Sequence, residues 1–154
     1  VDAEGGNFAW YQGVKISLFD VTNVADPKEI AKYEIGQRGT DSPVLRDDKA
    51  FLFDKSRNLL VLPVNVVEQA YTGPAWNGAY VFDISIEGGL VLKGKITHVE
   101  AGSEATQQWW YYGGPFSIQR SLFIDNVLYT ISESKIKMNA LSDLTQINEV
   151  NLKP

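Results

Sequence analysis

Apolar positions along this chain recur with a period of two, in short runs separated by polar, glycine- or proline-containing turns. The runs are VKISLFDV (14–21), EIAKYEI (29–35), KAFLFD (49–54), LLVLPV (59–64) and AYVFDIS (79–85). They continue with LVLKGKIT (90–97), RSLFID (120–125), VLYTIS (127–132), SKIKMNA (134–140) and TQINEVNL (145–152). Enrichment in β-branched and aromatic residues makes each a strand. VKISLFDV reads as a strand buried on both faces. EIAKYEI sets Ala31, Tyr33 and Ile35 on one face and Lys32 and Glu34 on the other, a half-exposed strand for which a short helix is the competing reading. Asp26-Pro27 starts a turn, because proline presets φ at the second turn position. The tetrapeptide 55–58 is a tight hairpin turn.

The runs repeat. SLFDV (17–21) matches YVFDI (80–84) and, more loosely, IKMNA (136–140); KAFLFD (49–54) matches RSLFID (120–125). Grouped as two, four and four, they predict an all-β fold: a partial β-propeller of about two and a half four-stranded antiparallel blades. The expected division of this single domain is a half blade over 1–36, a blade over 37–98 and a blade over 99–154. Polarity within a unit points the same way. KAFLFD and LLVLPV are nearly all apolar, as inner strands walled on both faces are, whereas LVLKGKIT and EIAKYEI carry the lysines of an outer edge.

Three segments in order, GVKISLFDVTNVADPKEIAKYEIGQRGTDS, DKAFLFDKSRNLLVLPV and RSLFIDNVLYTIS, resemble a family of archaeal and bacterial secreted proteins. That family's C-terminal β-propeller is distantly related to WD-repeat propellers. The resemblance implies an extracellular or cell-surface location and a place among the last blades of a longer protein. It implies no particular activity. Ten strands do not close a ring of about six to eight blades. Exposed blade edges and self-association through them are therefore expected.

Composition narrows the function classes. With 154 residues, 44% of them hydrophobic, the chain is long enough for one well-buried domain. The net charge of -5 and the absence of any Lys/Arg cluster argue against nucleic acid. There is no cysteine, so disulfides and thiolate metal sites are excluded. No apolar run approaches a membrane span. The first residue is Val1, as in a processed or excised piece.

In up-and-down blades successive turns alternate between two ends. The segments 5–13, 36–48, 65–78 and 98–117 are expected at one end, and the short turns 22–28, 55–58, 86–89, 125–126 and 141–144 at the other. Long connections gather function, so their end is the expected binding face. It carries the aromatic residues: Trp109, Trp110, Tyr111 and Tyr112 in one loop, and Trp10, Tyr11, Tyr71 and Trp76 in the others. Exposed ring pairs make platforms for sugars or protein hot spots; rings folded back onto a blade are the plainer reading. The expected partner is a protein or a glycan.

Other residues carry weaker chemistry. Asp41, Asp47 and Asp48 share a loop where carboxylates and carbonyls suit calcium, and Asp20, Asn23 and Asp26 are a second set. Neither has the spacing of the twelve-residue calcium loop, so turn and cap roles are expected and no cofactor is called for. Arg38 and Arg120 are expected to brace neighbouring blades through their five-donor forks. Asp20 and Asp83, which end repeated strands, are expected to cap turns. His98, the only histidine, is expected to begin a solvent-exposed loop, and Ser103 lacks a nucleophile-elbow setting. Glu68, Glu100 and Glu104 keep open a hydrolase or lyase with carboxylates on the long-loop face. The reading taken forward is a non-catalytic interaction domain, with that enzyme and a purely architectural domain as the alternatives.

Overall fold

The structure is a computed structural model that describes residues 12–68, 75–100 and 114–152. All ten expected strands are present: β1 (Val14–Asp20), β2 (Lys28–Ile35), β3 (Leu52–Asp54), β4 (Leu59–Val67), β5 (Ala75–Ser85), β6 (Gly89–Ile96), β7 (Arg120–Ile124), β8 (Val127–Ile131), β9 (Lys135–Ala140) and β10 (Gln146–Asn151). No α-helix occurs among the described residues, and the segment for which a helix competed is the strand β2. The strands form three antiparallel sheets, ordered β1-β2, β3-β4-β5-β6 and β10-β9-β8-β7. The grouping is thus two, four and four, a partial propeller of stacked blades.

The middle sheet explains the stacking. Alternate residues of a strand face opposite sides. On β4 and β5, Leu60, Leu62, Val64, Val66, Tyr80, Phe82 and Ile84 face the first sheet, where they bury Val14 and Ile35. Leu59, Val61, Ala79 and Val81 face the third sheet and meet Ile118 and Leu128. Each buried Val, Leu, Ile or Phe among them contributes about 1.5–3 kcal/mol by leaving water. Tyr33 of β2 meets Phe82 edge-on, with centroids 4.8 Å apart, fixing the first sheet on the second. Gly89, which opens β6, takes φ +68°, and a Cβ there would lie 2.8 Å from that of Ala31, so the start of β6 packs directly on β2.

Three sequence expectations change. First, β1 is not buried on both faces: Ile16 and Leu18 pack inward, but Phe19 is 51% exposed. Both faces are covered only where a sheet lies on each side, which is true of β4 and β5. Second, KAFLFD is strand only over Leu52–Asp54, because Asp47 caps a 3-10 turn at Asp48–Ala50. Phe51 and Phe53 stay about half exposed, because β3 is a sheet edge rather than a walled inner strand. Third, half of the expected loop 65–78 is ladder. Asn65, Val66 and Val67 pair with Asn77, Trp76 and Ala75, leaving a connection of residues 68–74. Asn65, Asn77 and Gly78 read as turn formers in isolation, yet cross-strand pairing overrides that preference.

Candidate functional site

Antiparallel alternation places the β2–β3, β4–β5 and β6–β7 connections at one end of the sheets, together with the short β8–β9 turn. The described part of that end is a continuous polar weave. Gly36 turns the chain out of β2 at φ +67°. Thr40 Oγ1 then accepts from Val67 N at 2.9 Å, and Asp41 and Asn65 exchange backbone hydrogen bonds at 2.8 and 2.9 Å. Ser42, buried, donates to Pro63 O at 2.7 Å, supplying a donor to the middle of β4, where proline sits in the strand. Asn77 Nδ2 donates to Ser117 Oγ at 2.6 Å and to Asn65 Oδ1, and Thr97 Oγ1 donates to Asn77 O at 2.7 Å.

His98 is a correction to the sequence reading. It is fully buried. Its Nδ1 lies 2.9 Å from Ser132 Oγ and its Nε2 2.9 Å from Thr130 Oγ1, so one imidazole bridges the second sheet's exit to β8 of the third sheet and to the residue just past its end. Ser132 Oγ also donates to Lys135 O at 3.2 Å. Both ring nitrogens thus have a hydroxyl partner, one accepting from and one donating to the neutral imidazole. Burial, reinforced by the nearby Lys137 and Lys135 ammonium groups, lowers the imidazole pKa to about 4. The ring is neutral at physiological pH. Those lysines are themselves engaged: Lys135 Nζ lies 3.3 Å from Glu100 and 3.6 Å from Glu149, and Lys137 Nζ donates to Thr97 O at 2.9 Å. The local sequence gives no sign of this clasp. The readable signal is Thr130 and Ser132, hydroxyls two apart at the end of one strand run and therefore directed to the same side.

The candidate residues are placed as follows. Trp10, Tyr11, Tyr71, Ser103, Glu104, Trp109, Trp110, Tyr111 and Tyr112 lie outside the described residues. Trp76 sits on β5, packed edge-on against Tyr80 with centroids 5.4 Å apart, and Lys95 Nζ lies over both rings. It is a half-buried core residue with one polar neighbour, not an open platform. Asp41 is paired with Arg46. Asp47 accepts from Lys49 N at 3.0 Å and from Arg120 Nη2 at 2.5 Å. The Lys49 hydrogen bond first, and the guanidinium second, hold its carboxyl below the usual range. Asp48 falls in the first turn of the 3-10 segment that Asp47 caps. Among the described residues no three His, Cys, Asp or Glu side chains come together as a set that would hold a metal ion.

Arg120 braces the blades as expected. It starts β7 yet reaches the β2–β3 connection, and Arg57 of the β3–β4 turn stacks over Phe123 of β7 at 4.3 Å. Asp20 caps its turn, accepting from Thr22 N at 2.9 Å. Asp83 does not: it lies inside β5, 3.8 Å from Lys93. Glu100 is tied to Lys135, and Glu68 is exposed. Among the described residues every carboxyl with a resolved shift (Asp20, Glu29, Asp47, Asp54 and Asp143) is lowered, the reverse of a poised general acid.

Stacked four-stranded antiparallel sheets, joined by apolar cores and by side chains that cross between blades, are the arrangement of part of a β-propeller. The comparisons agree. The beta propeller domain family matches residues 2–144, and the chain belongs to it. A relative in Methanocaldococcus jannaschii, itself uncharacterized, is 32% identical over 123 residues, covering 80% of this chain. The chain spans only 15% of that relative's length. No solved structure matches the chain.

Proposed function

We propose that this chain is a non-catalytic interaction segment of a secreted or cell-surface β-propeller, and that it meets a protein or glycan with the end where its long connections emerge. The observation that carries this reading is the division of labour between the two ends. One end has tight turns capped by their own side chains, as at Asp20, Asp54 and Asp143. The other gathers the long connections on a braced polar floor, and the sequence places four consecutive aromatic residues, 109–112, in the longest of them. A rigid floor under long loops is how scaffolds present recognition surfaces. Export rests on the sequence resemblance.

A glycan and protein array probed with the wild-type chain tests the reading. Trp109→Ala with Trp110→Ala is expected to reduce binding at least tenfold while the unfolding midpoint is unchanged. Loss of fold in that variant, or no bound ligand from either class, overturns it.

A further inference from the structure

Among the described residues four ties leave one short stretch, 97–100, where the chain runs out of β6. Thr97 O accepts from Lys137 Nζ at 2.9 Å, His98 bridges Thr130 and Ser132 at 2.9 Å each, and Glu100 accepts from Lys135 Nζ at 3.3 Å. All four partners lie on β8, on β9 or in the turn between them. The root of the stretch stays with the second sheet, because Thr97 Oγ1 donates to Asn77 O of β5 at 2.7 Å. Other crossings of the same seam lie apart from it: Arg120 pairs with Asp47 at the β7 edge, and Arg57 of the β3–β4 turn lies over Phe123. Acid acts differently on the two groups. His98 is fully buried, and among the described residues no carboxylate is hydrogen-bonded to its ring. The charges that act on it are the Lys137 and Lys135 ammonium groups of β9, while Glu149 of β10 and Glu100 are turned to those lysines. A protonated ring is therefore a third cation in a dry site. At the β7 edge, Arg120 keeps its charge, and Asp47 is held below the usual carboxylate range by the Lys49 N–H and then by the guanidinium.

We propose that residues 97–100 form an acid-released latch: mild acid frees this stretch from β8 and β9 and opens that corner of the second seam, while the β3 and β7 edge and the first seam stay closed. Opening returns the ring to water, where it takes up a proton at its ordinary value of 6.5 instead of about 4, so acid favours the open form. Between pH 7.5 and pH 5 the ratio of open to closed latch rises about 25-fold. The lysines contribute twice, by opposing a charged ring and by holding Thr97 and Glu100, so the four ties are released together. The latch needs no partner, and it stands or falls independently of what the loop end binds.

Amide hydrogen exchange on the full chain, corrected for the intrinsic effect of pH on exchange, reads the opening. Residues 97–99 and 130–137 are expected to lose about 25-fold in protection between pH 7.5 and pH 5. Their exchange is expected to be indifferent to low urea, as a local opening is, whereas exchange over residues 59–64 and 79–84 climbs with urea because it requires global unfolding. His98→Gln is expected to remove the pH step at 97–99 and 130–137. Should that variant not fold, the wild-type imidazole supplies the second measurement, since the chain has a single histidine and its ring signal is unambiguous. It is expected to titrate below about pH 5.5, with exchange at 97–99 rising over the same interval. The proposal is overturned by a latch that exchanges with the protection and urea slope of residues 79–84, because there is then no separate opening. A ring that titrates near 6.5 in the folded chain also overturns it. So does a pH step that persists in His98→Gln, because a carboxyl such as Glu100 or Glu149 is then the trigger.

Discussion

The two seams between blades are built from different materials. The seam between the first and second sheets is apolar and aromatic: Tyr33, Tyr80 and Phe82 interlock over Leu60, Leu62 and Val64. The seam between the second and third sheets has smaller apolar residues, Val61, Ala79 and Val81, and supplements them with a buried polar clasp of His98, Thr130 and Ser132. A shape-filled seam stabilises without regard to pH. A clasp built on one titratable ring works only in one protonation state. Stacked blades can therefore share a backbone plan while responding differently to the same solution.

The sharpest way to break the first seam is to empty it. Phe82 is fully buried, and Phe82→Ala is expected to cost about 3–5 kcal/mol, because the transfer and cavity terms add. Denaturant unfolding at pH 5 and pH 8 should give the same loss. A loss that varies with pH would show the two seams to be coupled through the middle sheet.

The second seam is broken by acid. The folded pKa of His98, about 4, lies below its ordinary value of 6.5, so the unfolded chain binds the extra proton first. The contribution is complete above pH 6.5 and is lost as pH falls toward 4, about 3 kcal/mol in all. The lowered carboxyls of Asp20, Glu29 and Asp54 act in the same direction but lower on the scale, around their ordinary values of 3.8 to 4.5. Between pH 6.5 and 5 the histidine dominates. His98→Gln retains hydrogen-bonding capacity toward the two hydroxyls and removes the proton site. It is expected to flatten the stability profile across that interval, and a wild-type profile that is already flat there refutes the assignment.

How much of this was legible in the sequence follows from what determines each feature. The strands were legible because alternation and turn residues are local. Their grouping into two, four and four was legible because SLFDV and YVFDI mark the same position in successive units. Arg120 was legible as a brace, being a forked cation at the head of an apolar strand. Burial was not, because it depends on which sheet lies opposite: β1 and β3 look as greasy as β4 yet lack a cover on one side. His98 was missed for the same reason, since its partners lie 32 and 34 residues away and no neighbour in the sequence announces them. The aromatic run 109–112 was conspicuous in the sequence, but Trp76, the one expected platform residue among those described, is a packing residue.

The smallest expected effect isolates the ionic part of the second seam. Asp47 plays two roles, capping the 3-10 segment through Lys49 N and pairing with Arg120. Asp47→Asn retains a capping oxygen and removes the charge, whereas Asp47→Ala removes both. Because both partners are about two-fifths exposed, water and salt screen the pair. Asp47→Asn is therefore expected to lower the unfolding midpoint by only about 1–2 °C, with the difference shrinking in 1 M salt. Asp47→Ala is expected to lose more, by a margin insensitive to salt, because the cap is a local hydrogen bond. If instead Asn loses as much as Ala, the ion pair is the main tie across the inner part of this seam. The seam would then rest on two charged devices, one titrating and one not, and salt would weaken it as acid does.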